Sequence, residues 1–156
     1  MRVSAKADYA VRAAIELATQ PADLPVKGDQ IAVSQDIPLR FLENILAELR
    51  QHDLVHSRRG ADGGYWLARS PDDITVAEVI RAVEGPLASV RGERPDQLSY
   101  RGASQPLQDV WLALRANIRI VLESVTLADV VAGALPEPVR GLSEHPEATA
   151  DRPTRF

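Results

Sequence analysis

The sequence predicts a mainly α-helical protein that carries one small β-hairpin. Apolar residues recur at helical spacing along several stretches, and only one stretch has short apolar runs on both sides of a glycine-rich turn. The hydrophobic content is 45% and aromatic residues make up only 4%, so aliphatic residues that favour helices supply most of the core. At 156 residues the chain is long enough for about one domain with an extension.

The first third of the chain predicts three helices. Ser4 is a favourable N-cap for a first helix that reaches about Gln20. A short helix over residues 28–35 follows, and Pro38 suits the first turn of a third helix. The predicted apolar faces of the first and third helices are Ala7, Ala10, Val11, Ala14, Leu17 and Ala18, and Phe41, Leu42, Ile45, Leu46 and Leu49.

The next segment predicts a hairpin and a fourth helix. The hairpin is formed by the runs LVHSR and YWLAR around the turn RGADGG, whose tip carries two adjacent arginines. Thr75 and Glu78 have the spacing of a capping box ahead of the fourth helix, and Gly85 stands where that helix ends.

The second half predicts a loop, two helices and a tail. Residues 86–105 are rich in Pro, Gly, Ser and Arg and predict a loop. A long amphipathic helix covers residues 106–124, and Thr126 caps one more helix that reaches about Leu135. Residues 137–156 are rich in Pro, Glu and Arg and predict a disordered tail.

Composition excludes several classes of function. The chain has no cysteine, which removes disulfides, thiolate catalysis and cysteine-ligated metal sites. The histidines His52, His56 and His145 show no paired spacing, so no metal site is predicted. No catalytic motif is recognisable, and we expect no enzyme. Neither a secretory signal nor a membrane span is evident, so we expect a cytoplasmic protein without a membrane partner.

Positive charge is local rather than general. The net charge is −4, and all of it lies in residues 70–156, because residues 1–69 hold equal numbers of basic and acidic side chains. Contact with nucleic acid therefore requires a basic patch in the first half, and the densest one is the hairpin tip.

The order of helix, short helix, tight connection, helix and hairpin is the layout of a winged helix-turn-helix. In that layout the third helix enters the major groove of DNA. Arg40 would then reach guanine or phosphate, and Glu43 would accept a hydrogen bond from a cytosine amino group. Small glycines would let Arg58 or Arg59 enter a narrow minor groove. The alternative is an ordinary hairpin with incidental surface arginines.

Two stretches carry a resemblance to a known family, MRVSAKADYAVRAAIELA and QIAVSQDIPLRFLENILAELRQHDLVHSRRGADGGYWLARSPDDITVAEVIRAVEGP. They resemble the Rrf2 family of bacterial winged-helix repressors, which includes IscR, NsrR and CymR. The resemblance implies that Arg59 enters the minor groove and that helix one approaches phosphate. The predicted DNA-binding residues are Ser4, Lys6, Tyr9, Leu39, Arg40, Glu43, Asn44, Ser57, Arg58, Arg59, Gly60, Gly64 and Tyr65.

The sequence departs from the family pattern in two places. His52 and Asp53 replace a small residue and a glycine at the end of the third helix, so we expect a slightly strained exit. Cluster-binding members carry three cysteines in the loop before the long helix, and residues 86–105 contain none. We therefore expect the cysteine-free branch, with no iron–sulfur cluster and no cofactor.

A single winged helix contacts too few base pairs to select one genomic site, so a homodimer on a palindromic double-stranded operator is expected. The resemblance assigns dimerisation to the long helix, and the alternative is that its apolar face packs on its own domain. The predicted dimerisation residues are Leu107, Val110, Trp111, Leu114, Ile118, Val121 and Leu122. The predicted units are thus a DNA-binding domain over residues 1–85, a sensor or linker loop over 86–105, and dimerisation helices over 106–136.

A regulator without a metal or a thiol needs another signal to control its DNA binding. One option is an anionic metabolite bound by Arg91, Arg94, Tyr100 and Arg101, although these side chains also suit a solvated loop. A second is a partner protein, with a link to cysteine or sulfur metabolism that rests on the family alone, and a third is control by abundance. The expected function is a dimeric, sequence-specific transcriptional repressor; the rival is a winged-helix protein-interaction module that does not read DNA.

Overall fold

The computed structural model describes residues 2–152, which form seven α-helices and one antiparallel hairpin. The elements are α1 (Ala5–Ala18), α2 (Gly28–Gln35), α3 (Leu39–Gln51), β1 (Val55–Arg58), β2 (Gly64–Leu67), α4 (Val76–Glu84), α5 (Leu107–Ser124), α6 (Leu127–Ala132) and α7 (Glu137–Ser143). The predicted fold class is therefore confirmed. Within these residues no helix combines the length and apolar character needed to cross a bilayer.

Local side-chain caps set the helix starts. The Ser4 hydroxyl accepts a hydrogen bond from the Ala7 amide at 3.0 Å, which confirms Ser4 as the N-cap of α1. Thr75 and Glu78 form the predicted capping box on α4. Pro38 differs slightly from its predicted position, because it is the N-cap of α3 and helical geometry begins at Leu39.

The core is built on the small residues of α1. Its buried face consists of Ala7, Ala10, Ala13, Ala14 and Leu17. This face contacts α2, α3, α4, α6 and β2, because alanine side chains let neighbouring backbones come close. From α3 the core takes Leu42, Ile45, Leu46 and Leu49.

Phe41 corrects the predicted apolar face of the third helix. Its side chain is 61% exposed, although the helical spacing includes it in the stripe. Each residue turns a helix by about 100°, so Phe41 lies past the edge of the stripe that Leu42 and Leu49 centre on the core. An exposed phenylalanine thus stands near the start of α3.

The C-terminal helices complete the N-terminal core. The Leu127 amide donates to the Ile74 carbonyl, and the Val76 amide donates to the Val125 carbonyl, both at 2.9 Å. Leu127 and Ile74 are fully buried in one core cluster together with residues of α1 and α3. The core cluster that contains the buried residues of α1 and α3 therefore extends to Leu127 on α6.

The loop over residues 86–105 is anchored to α5. The Gln108 side-chain amide donates to the Pro95 and Leu98 carbonyls at 3.2 and 2.7 Å, and both of those residues are buried. Two 3₁₀ turns, Pro95–Gln97 and Gly102–Ser104, interrupt the loop. The predicted loop is thus held against the helix that follows it.

The structure differs from the predicted disordered tail over part of its length. Residues 137–148 contain α7 and a 3₁₀ turn over Pro146–Ala148, and α7 contacts α5. Prolines did not prevent this helix, since they stand before it and in its first turn, where no amide hydrogen bond is lost. Residues 153–156 of the predicted tail lie outside the described residues.

Truncation of Leu127 tests whether α6 belongs to the core. We expect Leu127→Ala to lower the free energy of unfolding by about 2–5 kcal/mol, because it leaves a cavity among fully buried side chains. Leu142→Ala is the matched control; Leu142 is 50% exposed on α7, and its truncation should change stability by less than about 0.5 kcal/mol. Urea denaturation measures both, and equal small losses would contradict the single-core arrangement.

Candidate nucleic-acid interface

The connection between α2 and α3 presents one face of α3 to the outside. Asp36 ends α2 in a left-handed conformation (φ 50°), and the buried Ile37 donates its amide to the Ala32 carbonyl at 2.9 Å. Arg40 and Asn44 lie one turn apart on the face opposite the buried leucines.

The other predicted residues of α3 are also accessible. Leu39 is 42% exposed, and Glu43 is exposed on the flank of that outer face. The same face continues to Ala47 and Gln51, which the sequence argument did not name. An outer row of this length is suited to a major groove.

The exit of α3 has the strain that its sequence predicts. His52 is the C-cap, and Asp53 adopts a left-handed φ of 56°. Aspartate tolerates this region better than bulky residues do, but less well than glycine. The chain then turns directly into β1, and Leu54 donates its amide to the Leu49 carbonyl at 3.0 Å.

The hairpin, which is the wing, is fastened to the segment that precedes α2. β1 and β2 pair from Val55 opposite Leu67 to Arg58 opposite Gly64. Val26 and Tyr65 exchange both backbone hydrogen bonds, at 2.8 and 2.9 Å. The predicted contact residue Tyr65 therefore also has a structural role.

A lysine braces the tip of the wing. The Lys27 ammonium donates to the Gly60 carbonyl at 3.0 Å, and the Gly63 amide donates to the same oxygen at 3.0 Å. Sequence reasoning missed Lys27 and Val26, because the loop before α2 carries only the short run LPVKG as a signal. The brace fixes the tip relative to the start of α2.

The paired glycines are required by close backbone approach. A Cβ atom on Gly63 would lie 2.1 Å from the Arg58 carbonyl oxygen, and one on Gly64 would lie 2.6 Å from the Val26 carbonyl oxygen. Both distances are far inside van der Waals contact, so no other residue fits without moving the backbone. These glycines therefore let the wing close on itself and on the loop before α2.

The arginines near the wing differ in their partners. Arg58 donates to the Asp62 carbonyl at 3.1 Å, and Arg50 donates to the half-buried Ser57 hydroxyl at 3.0 Å. Within residues 2–152 the Arg59 side chain has neither a hydrogen bond nor a salt bridge, and it is exposed. Arg59 is thus the guanidinium that the wing leaves available.

The predicted residues of α1 already have partners inside the protein. Ser4 donates its hydroxyl to Glu84 while it caps α1. Lys6 donates to the Val83 carbonyl and pairs with Glu48 on α3, each at 2.9 Å. These contacts place Lys6 beside the second half of α3.

Tyr9 is half-buried and packs against the core. The Arg12 guanidinium lies 5.0 Å from its ring centroid, within the range of a cation–π contact. Of the predicted set, Ser4, Lys6 and Tyr9 therefore link α1 to its neighbours, whereas the residues of α3 and the wing tip are open to solvent.

The long helix α5 has no fully buried side chain. Val110 is 54% exposed, and the other predicted dimerisation residues Leu107, Trp111, Leu114, Ile118, Val121 and Leu122 are half-buried. The indole Nε1 of Trp111 is buried without a hydrogen-bond partner among the described residues. A mainly apolar groove of about 630 Å³ separates Ile118 and Val121 from the start of α1.

The predicted effector residues are spread along the loop. Arg91, Arg94 and Arg101 are exposed and Tyr100 is half-buried. Arg94 makes a two-pronged contact with Asp96, at 2.9 and 3.0 Å, and this contact holds the pKa of Asp96 below its usual value. The role of these four residues stays a prediction.

A sequence model of the Rrf2 family, described as an iron-dependent transcriptional regulator, matches residues 3–133. A putative HTH-type transcriptional regulator of Mycobacterium tuberculosis is 53% identical over 144 residues, which cover 92% of this chain and 89% of the relative. The HTH-type transcriptional regulator CymR of Bacillus subtilis is 33% identical over 132 residues, which cover 85% of this chain and 91% of CymR.

Solved structures show the same similarity. CymR (YrzC), the global cysteine regulator of B. subtilis, superposes with a TM-score of 0.72 at 32% identity and covers 85% of this chain and 98% of its own. IscR of T. potens superposes with a TM-score of 0.70 at 34% identity and covers 98% and 94%.

The donor atoms of this chain do not fit the iron dependence in the family description. The sequence offers no thiolate. In the part of the chain that the structure describes, no group of three or more His, Asp or Glu side chains gathers where it could hold a metal ion. In the loop before α5, the Asp96 carboxylate is held by Arg94.

Adding one methyl group to Gly64 tests the attachment of the wing. We expect Gly64→Ala to destabilise the protein by about 1–3 kcal/mol, because its Cβ would collide with the backbone of Val26. Gly28→Ala is the control, since its Cβ would make ordinary contacts with Tyr65 and Leu46 at 3.6 and 4.0 Å. Thermal and urea unfolding compare the two variants, and an undisturbed Gly64→Ala protein would contradict the steric argument.

Proposed function

The chain belongs to the Rrf2 family of DNA-binding transcriptional regulators, and from this premise we propose that it is a homodimeric repressor of a palindromic operator. The observation that carries the proposal is the position of Arg59 at the tip of a wing that three other basic side chains hold in place. The outer face of α3 supplies Arg40 and Asn44 for base contacts.

Charge distribution supports DNA as the partner. Arg59 has no internal carboxylate within the described residues, so phosphate oxygens or a narrow minor groove would supply the opposite charge. Lys6 lies at the edge of the same surface and would exchange Glu48 for phosphate. The rest of the protein is acidic, which limits contact with DNA to this surface.

The dimer is supported by the uncovered apolar surface of α5. An 18-residue helix without one fully buried side chain leaves apolar area in water that a second copy would cover. An apolar side chain of the second copy would insert into the groove of about 630 Å³ beside Ile118 and Val121. Two-fold symmetry would then set two copies of α3 about one DNA turn, or ~34 Å, apart.

We propose a biological input and a location by analogy with the relatives. Likeness to the global cysteine regulator CymR leads us to propose a link to cysteine or sulfur metabolism. Repression, as opposed to activation, is proposed on the resemblance to winged-helix repressors. We assign the chain no catalytic role, and a protein that acts on the chromosome of a bacterium would work in its cytoplasm.

Removal of the Arg59 guanidinium tests whether the wing contributes to DNA binding. We expect Arg59→Ala to weaken binding to DNA from upstream of its own gene by about 1–3 kcal/mol, because the wing would lose its groove contact. Arg140→Ala, which removes an exposed arginine of α7, should leave the affinity unchanged. Fluorescence anisotropy at several salt concentrations, with scrambled DNA beside the operator, measures both.

The wild-type protein should bind the operator with an affinity that falls steeply as salt is added. Equal affinity for Arg59→Ala and the wild type would overturn the role of the wing. No binding of the wild type to either DNA would favour the rival function, a winged helix that serves another protein.

A charge on α5 tests the dimer. We expect Val110→Glu to raise the dimer dissociation constant about a hundredfold, or ~3 kcal/mol, because the carboxylate would be buried at the interface without a partner. Leu24→Glu is the control; Leu24 is 49% exposed in the loop before α2. Sedimentation velocity should find the control dimeric, and a dimeric Val110→Glu protein would place the interface elsewhere.

A further inference from the structure

A second cavity lies between the base of the wing, α4 and α5. Its volume is about 430 Å³, within the range of roughly 300–1,000 Å³ typical of small-molecule sites. We call it the arginine cleft, because Arg69, Arg81 and Arg115 line it together with the apolar side chains of Leu54, Ala82 and Leu87. Glu78, the partner of Arg69, also lines the cleft. Three guanidinium groups thus reach one cavity from three different segments.

The three arginines are not equally neutralised. Arg69 pairs with Glu78 at 2.8 Å and also donates to the Asp73 carbonyl at 2.9 Å. Arg81 pairs with Glu123 on α5. Arg115 donates to the Leu87 carbonyl at 2.7 Å and, among residues 2–152, forms no salt bridge.

The two carboxylates remain ionised at neutral pH. Burial raises the pKa of Glu78, but the hydrogen bonds from Arg69 and Thr75 outweigh it and lower the pKa below its usual value. Hydrogen bonds from Arg119 and then Arg81 lower the pKa of Glu123. Glu78 and Glu123 therefore keep their charges for Arg69 and Arg81, whereas Arg115 has no ion pair among residues 2–152 and feels the Asp96 carboxylate only through a longer-range Coulombic attraction.

The half-buried Arg115 guanidinium has a neutral carbonyl as its hydrogen-bond partner and no carboxylate in direct contact. Charges withdrawn from water are stable when an opposite charge and hydrogen bonds replace the lost hydration. The planar fork of arginine matches the two oxygens of a carboxylate or phosphate. Leu54, Ala82 and Leu87 supply an apolar wall beside it.

We propose that the arginine cleft binds a small organic anion, with its carboxylate or phosphate on Arg115 and its apolar part against Leu54 and Leu87. This site is distinct from the exposed loop residues Arg91, Arg94 and Arg101, none of which lines the cleft.

The surroundings of the cleft make its ligand an effector. The residues Gly85, Pro86 and Leu87 form a wall of the arginine cleft and also of the groove beside α5. Arg69 follows β2 by two residues, so the cleft also adjoins the base of the wing. The effector role rests on the proposed function, whereas anion binding itself does not.

Calorimetry without DNA tests the binding site. The probes are phenyl phosphate, benzoate and inorganic phosphate, with phenol as the neutral analogue. We expect phenyl phosphate or benzoate to bind with a dissociation constant of about 1 mM or tighter, and phenol to bind at least roughly tenfold more weakly. The affinities of phenyl phosphate and benzoate show whether the cleft prefers a phosphate or a carboxylate group.

Substitution of Arg115 locates that binding. Arg115→Gln should weaken it roughly tenfold or more, and Arg115→Lys should restore part of it, because lysine keeps the charge without the fork. Arg140→Gln, an exposed arginine on α7 that does not line the cleft, should bind like the wild type. Failure of all three anions to bind, binding of phenol as strong as that of the anions, or equal losses in Arg140→Gln and Arg115→Gln would overturn the site.

A second measurement separates the effector role from the binding site. Saturating anion should shift the operator affinity of the wild type and leave that of Arg115→Gln unchanged. Calorimetric binding with no shift in the wild type would overturn the effector role alone. If the protein bound no DNA, the proposed function would fail and calorimetry would still decide the cleft.

Discussion

Alanine side chains on the buried face of α1 let four other helices and the wing pack against a single central helix. Ala10 and Ala13 are fully buried, so a larger side chain at either position would push α3 or α4 outward at a typical overpacking cost of about 1–3 kcal/mol. The positions of α3 and of the wing relative to the rest of the domain therefore depend on this close approach.

The basic side chains near the wing differ in whether they have a hydrogen-bond partner inside the protein. Lys27, Arg50 and Arg58 donate hydrogen bonds that hold the hairpin, whereas the exposed Arg59 side chain has no partner among residues 2–152. A protein with a net charge of −4 can bind a polyanion in this way, since a few well-placed cations on a rigid support lose little conformational entropy. The arginine cleft follows the same rule, because two of its guanidinium groups are paired internally and one is not.

Elements held by local interactions could be predicted from the sequence. The caps at Ser4 and Thr75, the ends of α2 and the hairpin follow from contacts a few residues apart, which spacing reveals directly. Spacing does not reveal which distant segment covers a buried face, so the pairing of Val26 with Tyr65 and the assembly of the arginine cleft were missed. The outward position of Phe41 depends equally on which elements surround α3.

The burial of Leu127 has a consequence for how the protein is made. A chain emerging from the ribosome exposes α3 and the wing well before the segment that contains Leu127. Until α6 docks on Ile74, the nascent domain lacks a side chain at the centre of its core. Because domains fold as units during synthesis, α3 and the wing reach their final packing only after the segment that contains α6 has been synthesised.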